Sequence, residues 1–288
     1  MTTCADRQRD PTTAEHHLAA SEWFKRERIW TKVGVTLPIT IASAAPIVAT
    51  AWPQTDVVVA ATLGVLALVA RLLAKPAAEV AHQRGVVELE ARDCHVFNLP
   101  WNHFLAEPPE QEATHRMSER RRRKHPEEVQ AVAEWYEFGA ASIAESKQVL
   151  VAQRSNLAWA RHDHERWATA VLSLLAILVI GGIGLALISG TTLLQYLGLV
   201  AFPSVPGWSD LWDTHRDQRR VIGRKLALRK RISAELPNPD PEPEALRGLQ
   251  DDVFNSRLTS PYVPQLLYKI SRAENDRAMR SAARKLLS

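Results

Sequence analysis

Enzyme signatures are missing from this sequence. It holds no GxGxxG, no Walker loop, no GxSxG and no HExxH, so dinucleotide chemistry, P-loop phosphoryl transfer, elbow-type hydrolysis and zincin proteolysis have no motif to rest on. Cysteine is scarce as well. Cys4 and Cys94 stand far apart and form no CxxC pair, which excludes a disulfide framework and a thiolate zinc site. The first 30 residues carry Asp6, Asp10, Glu15, Glu22 and Glu27 and lack the basic start and apolar core of a signal peptide. Charge is missing from long internal runs, and Lys and Arg are missing from the two short turns that join those runs in pairs.

What is present is apolar length. Val33 to Trp52 is uncharged over about 20 residues, enough to cross a hydrocarbon core as a helix. Val57 to Ala74 follows the turn Pro53-Gln54-Thr55-Asp56. Its one charge, Arg71, lies near the end, where a long side chain can reach the headgroups. Trp167 to Ile188 is a third uncharged run. Thr191 to Trp208 is a fourth, weakened by Gln195, Pro203 and Pro206, with Ser189-Gly190 turning one into the other. A water-soluble core can also bury apolar helices. Four runs near membrane length, each flanked by basic residues on one side only, favour spans instead.

Lys and Arg set the expected orientation. Lys25, Arg26, Arg28 and Lys32 precede the first run, and Arg71, Lys75 and Arg84 mark the end of the second. Arg154, Arg161 and Arg166 precede the third, and Arg216, Arg219, Arg220, Arg224 and Lys225 follow the fourth. Trp30, Trp52, Trp167 and Trp208 sit at run ends, as interfacial anchors do. The expected fold is an all-α membrane protein with four transmembrane helices in two hairpins, a cytoplasmic helical bundle and both termini cytoplasmic. Its divisions are a cytoplasmic N-terminal helix (1–32), a first hairpin (33–74), a cytoplasmic helical region (75–166), a second hairpin (167–208) and cytoplasmic C-terminal helices (209–288).

The cytoplasmic segments read as mostly helical. Lys75 to Arg92 extends the second span. Between Glu127 and Ile188 there is no proline, which predicts one or two long helices with a break near Gly139. Ser209-Asp210 offers an N-cap for a basic helix to about Glu235. The segment Leu236 to Leu246 is a proline-rich linker, and two more helices flank Pro261 and Pro264. The run Arg120 to Lys124 reads either as a solvated loop touching anionic lipid or as a phosphate contact.

One short box interrupts this pattern: Asp93-Cys94-His95-Val96-Phe97-Asn98-Leu99-Pro100-Trp101-Asn102. Pro100 removes a donor and pushes Leu99 out of helical geometry, so the chain turns here. Two readings stand side by side. The box is a packed corner buried by Phe97, Leu99 and Trp101, or it is part of a ligand pocket in which Trp101 stacks on a base.

Phe97-Asn98-Leu99-Pro100-Trp101-Asn102 resembles a box that follows the second span in the SMODS-associated four-transmembrane effectors, pore-forming proteins of bacterial antiphage signalling by cyclic oligonucleotides (CBASS). Trp135-Tyr136 resembles that family's Trp-Tyr pair, and Gln153-Arg154-x-Asn156-x-x-Trp159 its box before the third span. Gln250-Asp251, Arg257, Val263-Pro264, Tyr268, Glu274 and Met279 resemble its last block. Ala152 and Ala160 stand where that family commonly has Cys and Asp, so no role carries over to those two positions.

The resemblance implies a multi-pass protein of the bacterial inner membrane, activated by a cyclic oligonucleotide made by a nucleotidyltransferase. It implies a homo-oligomer that opens a pore or disrupts the bilayer, causing abortive infection. Under it Trp101, Asn102, Gln153, Arg154 and Asn156 are candidate ligand-binding residues. Helix packing is an equal alternative for the last three. Arg154 suits phosphate because its guanidinium is a planar fork. In the first span Thr36, Thr40, Ser43 and Thr50 share one helix face and could line a pore or pack between helices. No catalytic residue, metal, cofactor, DNA or RNA is expected. His162 and His164 fall on different helix faces, and solvated helix is the expected setting for them, for His16-His17 and for His95. A constitutive or otherwise regulated channel, and a membrane-anchored scaffold, are the competing functions.

Overall fold

The computed structural model describes the backbone of residues 2–51, 57–140, 142–188, 190, 192–197 and 202–288. Side chains are outside the described residues at 35–51, 57–61, 63, 64, 67, 185, 186, 193, 195, 202–207, 265–272 and 274. The described residues are helical or irregular and include no strand. They form two units, Met1–Trp135 and Tyr136–Ser288.

The first unit opens with α1 (Cys4–Arg9), started by a capping box. The Thr3 hydroxyl accepts from the Asp6 N–H at 3.2 Å, and the Asp6 carboxylate accepts from the Thr3 N–H at 3.0 Å. Then come α2 (Pro11–Ala51) and α3 (Val57–Phe97), both 41 residues long. Their paired positions run in opposite directions: His16 meets Glu88, Glu27 meets His82 and Gly34 meets Ala74. The two helices are therefore antiparallel. Two glycines permit the close approach. A Cβ on Gly34 would lie 3.1 Å from the Ala74 Cβ, and one on Gly85 would lie 2.9 Å from the Phe24 ring.

The shorter α4 (Gln111–Lys124) packs on α2, with Ala19, Trp23, Ala81 and Met117 buried together. The basic run Arg120 to Lys124 is thus not a loop. It ends α4, with Arg121 to Lys124 in the last turn, where cations offset the exposed carbonyls. Arg121 also donates to both oxygens of Glu128, at 2.7 and 2.5 Å, on α5 (Glu127–Ala133).

The second unit is organised on α6 (Glu145–Ile188), a 44-residue helix. The break expected near Gly139 is a longer non-helical stretch ahead of it. The Ile143 Cδ1 sits 2.3 Å from where a Gly139 Cβ would be, so glycine makes room for that side chain. A short α7 (Leu193–Tyr196) precedes α8 (Phe202–Glu235). The N-cap expected at Ser209-Asp210 is not one, because α8 runs through both residues. A helix can start this early because Pro203 falls in its first turn, where backbone N–H groups have no intrahelical acceptor to lose.

After the linker, α9 (Pro243–Leu258) and α10 (Gln265–Leu287) pack on α6. Val151 of α6 is buried with Ala283 and Leu287 of α10, and Ile143, Leu236 and Leu286 cover them. Arg284 holds the start of the unit to α10 by donating to both oxygens of Glu137, at 3.1 and 3.3 Å.

Among the described residues one stretch, Glu145–Gly184, is long and apolar enough to cross a membrane. Ile177 and Ile180 are more than half exposed there, as are Leu187 just beyond it and Leu66, Leu72 and Leu73 on α3. The hydroxyl face of the first span, Thr36, Thr40, Ser43 and Thr50, has side chains outside the described residues.

Candidate functional site

The Phe97 box ends α3 with a Schellman motif. Asn98 adopts φ 53°, in the left-handed region that Asn tolerates better than most side chains. The Leu99 N–H donates to the Cys94 carbonyl at 3.0 Å and the Asn98 N–H to the His95 carbonyl at 3.4 Å. Two otherwise orphaned carbonyls are thereby satisfied. Beyond Pro100 the Trp101 Nε1 donates to the Ala106 carbonyl at 2.7 Å, and the Asn102 Oδ1 accepts from the Phe104 N–H at 3.0 Å. Phe97 is buried, and Arg7 of α1 donates to the neighbouring Val96 carbonyl at 2.9 Å. Trp101 and Asn102 therefore close the corner on itself.

Behind the corner lies a buried charged seam. Asp93 is fully buried and accepts from Arg92 Nε and Nη2 at 2.9 and 2.6 Å. Arg92 Nη1 lies 2.9 Å from His17 Nδ1. A guanidinium cannot accept, so Nδ1 must, and His17 is held as the neutral ring protonated on Nε2. Arg92 also covers the Trp135 ring at 5.7 Å. One turn back, buried Glu88 is met by His16 at 2.8 Å and by the Thr114 hydroxyl at 2.7 Å. These histidines are not on a solvated helix. They meet charged side chains carried by α3.

The Gln153 box belongs to the second unit and faces inward. Gln153 is fully buried, donating from Nε2 to the Gln250 Oε1 at 3.1 Å and to the Leu246 carbonyl at 3.3 Å. Its Oε1 is buried with no hydrogen-bond partner among the described residues. Asn156 donates to the Tyr136 hydroxyl at 2.6 Å, and Trp159 donates to Asp276 at 3.0 Å. Arg154 is half-buried, and its Nε donates to the Ser233 hydroxyl at 3.0 Å. Burial holds its guanidinium below the ordinary value, and the neighbouring Arg229 pushes the same way. Sequence patterning missed Arg229. It lies on α8, 75 positions away in the chain, and only the α6–α8 packing brings it to Arg154.

Deeper in the same unit, His164 and Lys225 are both buried. Burial, reinforced by Lys225, pushes His164 down to about 4, although its bond to the Gln218 Oε1 works against the shift. Burial, reinforced by Arg257, pushes Lys225 down to about 7. Gln218 passes the bond on, donating to the Tyr262 carbonyl at 3.1 Å. His162 is partly exposed and pairs with Glu165 at 3.4 Å, so the two histidines of this stretch differ completely. No group of three or more His, Cys, Asp or Glu side chains among the described residues could hold a metal ion.

The candidate ligand residues thus fall into two sets. Trp101 and Asn102 lie in the first unit, and Gln153, Arg154 and Asn156 in the second. The SMODS-associating 4TM effector domain model matches residues 2–286, nearly the whole chain. The chain belongs to that family. It is a helical membrane effector associated with antiphage signalling, of a family not known for enzymes. No curated protein and no solved structure matches it. Within the 4TM effector the boxes at Phe97 and Gln153 have distinct local jobs. The first terminates α3, and the second ties α6 to α8, α9 and Tyr136.

Proposed function

We propose that this 4TM effector is a nucleotide-gated membrane pore. A cyclic oligonucleotide made by a nucleotidyltransferase binds its cytoplasmic helices and changes how copies of the chain pack. The spans then open a pore or disrupt the bacterial inner membrane, and the infected cell stops supporting phage. The observation that carries this reading is the place of Arg154 on α6. Arg154 is half-buried with its Nε on the Ser233 hydroxyl, and Arg229 of α8 is near enough to push against its charge. Two like charges held this way favour an anion with several oxygens, such as a phosphodiester. The same α6 continues without interruption into the apolar stretch that ends at Gly184.

Ligand binding can shift the resting state only if the open or assembled state binds it more tightly. Gln153 and Asn156 flank Arg154 and link it to α9 and Tyr136, so they transmit the change. Trp101 and Asn102 are left to the corner that they close in the first unit, and the hydroxyl face Thr36, Thr40, Ser43 and Thr50 is assigned to the pore lining on spacing alone.

The test is dye release from liposomes containing the purified full chain, with a panel of cyclic di- and trinucleotides. Release should depend on one member of the panel. Arg154→Ala and Arg229→Ala should each abolish that dependence while the protein stays folded and inserted. Release without nucleotide would make the chain a constitutive channel. Absence of release from inserted protein with every nucleotide would leave a membrane-anchored scaffold.

A further inference from the structure

The Trp135-Tyr136 pair stands where the first unit ends and the second begins. Boundaries between compact units ordinarily fall in exposed polar linkers that few contacts hold. This boundary is built the other way. Two residues before the crossing, the Ala133 carbonyl accepts from Gln8 Nε2 of α1 at 3.0 Å. The Trp135 ring lies 5.1 Å from the His17 ring of α2 and 5.7 Å from the guanidinium carbon of Arg92 on α3. The next residue, Tyr136, is only 5% exposed, and its hydroxyl accepts from Asn156 of α6. Glu137 follows and holds Arg284 of α10.

The chain therefore leaves one unit and enters the other across a single trans peptide, with Cα atoms about 3.8 Å apart and an anchored aromatic ring on each side. Only two soft dihedrals, ψ of Trp135 and φ of Tyr136, lie between those Cα atoms. What each ring touches gives the crossing its meaning. Trp135 rests on Arg92 and His17, part of the seam that ties α2 to α3 and is completed by Asp93. Tyr136 bonds to Asn156, two positions from Arg154 on the same helix. A shift of Asn156 must drag Tyr136 or break their hydrogen bond, and Tyr136 has no slack in which to move without Trp135.

We propose that Trp135-Tyr136 is a stiff joint that carries a rearrangement of the Gln153 box on α6 into the Arg92-Asp93 seam of the first unit. Both are positioning residues and neither has to touch a ligand. Coupling of this kind is a free energy shared by two places, so it is reciprocal: loosening the surroundings of one ring loosens those of the other. The joint needs no nucleotide. Only its trigger, an anion at Arg154, rests on the gating proposed above.

The experiment is hydrogen–deuterium exchange of the full chain in lipid nanodiscs, read at the amides of residues 92–97 at the end of α3. Asn156→Ala and Tyr136→Phe each remove the hydrogen bond between those side chains. Each should speed exchange at 92–97 by about twofold to fivefold, up to the worth of one hydrogen bond. The double variant should do no more than either alone. Gln153→Ala loosens α6 from α9 without touching Tyr136 and should leave 92–97 unchanged. Unchanged exchange in both Asn156→Ala and Tyr136→Phe would overturn the joint. So would an equal change in Gln153→Ala, which would mark general loosening. Inserting Gly-Ser-Gly-Ser between Trp135 and Tyr136 should abolish the effect of Asn156→Ala. Persistence of the effect would route the coupling elsewhere and also overturn the proposal. Should the insertion variant not fold, the point variants decide alone. In dye release, the insertion should cut the nucleotide response about tenfold with nucleotide still bound. A wild type that answers no nucleotide would count against the gating alone, since the exchange result stands without it.

Discussion

In the Met1–Trp135 unit buried charges are met by opposite charges or strong donors, whereas in the Tyr136–Ser288 unit buried polar groups are met mostly by amides and hydroxyls. Arg92 has Asp93, and Glu88 has His16 and Thr114. Gln153 has Gln250, His164 has Gln218, and Lys225 has the Ser256 hydroxyl at 3.3 Å. A buried charge has two ways to avoid an uncompensated desolvation cost. It can keep its charge beside a partner, or it can give up its proton. Asp93 and Glu88 in the first unit use the first route. Lys225 and His164 use the second, since burial moves both toward their neutral forms. One unit should accordingly be sensitive to loss of a partner, and the other to pH.

The comparison breaks most visibly at Asp93. Asp93→Ala leaves Arg92 buried without its carboxylate and should cost about 3–5 kcal/mol, read as a large drop in thermal stability. A loss below about 1 kcal/mol would mean that Arg92 is held by His17 and Trp135 alone.

A smaller effect of opposite sign is expected at Lys225. Unfolded, it keeps its proton up to about 10.5, and folded it releases the proton at about 7. Between those values the unfolded chain binds more protons, so stability rises with pH across that window. His164 does the same between about 4 and 6.5. Lys225→Met should raise the melting temperature at pH 6 by several degrees and flatten the rise above pH 7, and it should shrink the acidic rise without removing it, since burial is the larger cause of the His164 shift. Melting curves from pH 4 to 10 measure both.

The smallest effect should come from Gln153→Ala. It leaves the Gln250 amide and the Leu246 carbonyl short of a donor in the interior, at about 1–3 kcal/mol. Gln153→Glu sharpens the comparison, because a carboxylate placed there without a cationic partner should destabilise more than alanine does.

The proline breaks near the C-terminus and the apolar runs were legible in the sequence because each is a local property. Pro261 and Pro264 separate α9 from α10 as their positions imply, and the linker ends where Pro243 can begin a helix. The turn at Pro100 was legible too, but its form depends on Asn98 taking a left-handed backbone, which no spacing announces. The start of α8 was not legible. Ser209-Asp210 has the chemistry of a cap, and nothing local says that the helix is already under way. Least legible were the long-range partners. His16, His17 and His164 look like surface residues until Glu88, Arg92 and Gln218 arrive from 54 to 75 positions away. Arg229 joined Arg154 in the same manner.

The length of α6 has a mechanical side. A 44-residue helix measures about 66 Å from end to end, at about 1.5 Å for each residue. Turned as a rod about its midpoint, it moves each tip by about 3 Å for every 5° of tilt, on that same length. Arg154 lies on one side of that midpoint, about 13 Å in from the tip at about 1.5 Å for each residue, and Gly184 lies near the other tip. A change of a few ångströms in how α6 seats against α8 near Arg154 is therefore a change of similar size, in the opposite direction, at the far end. Two chemically separate places are coupled by leverage alone.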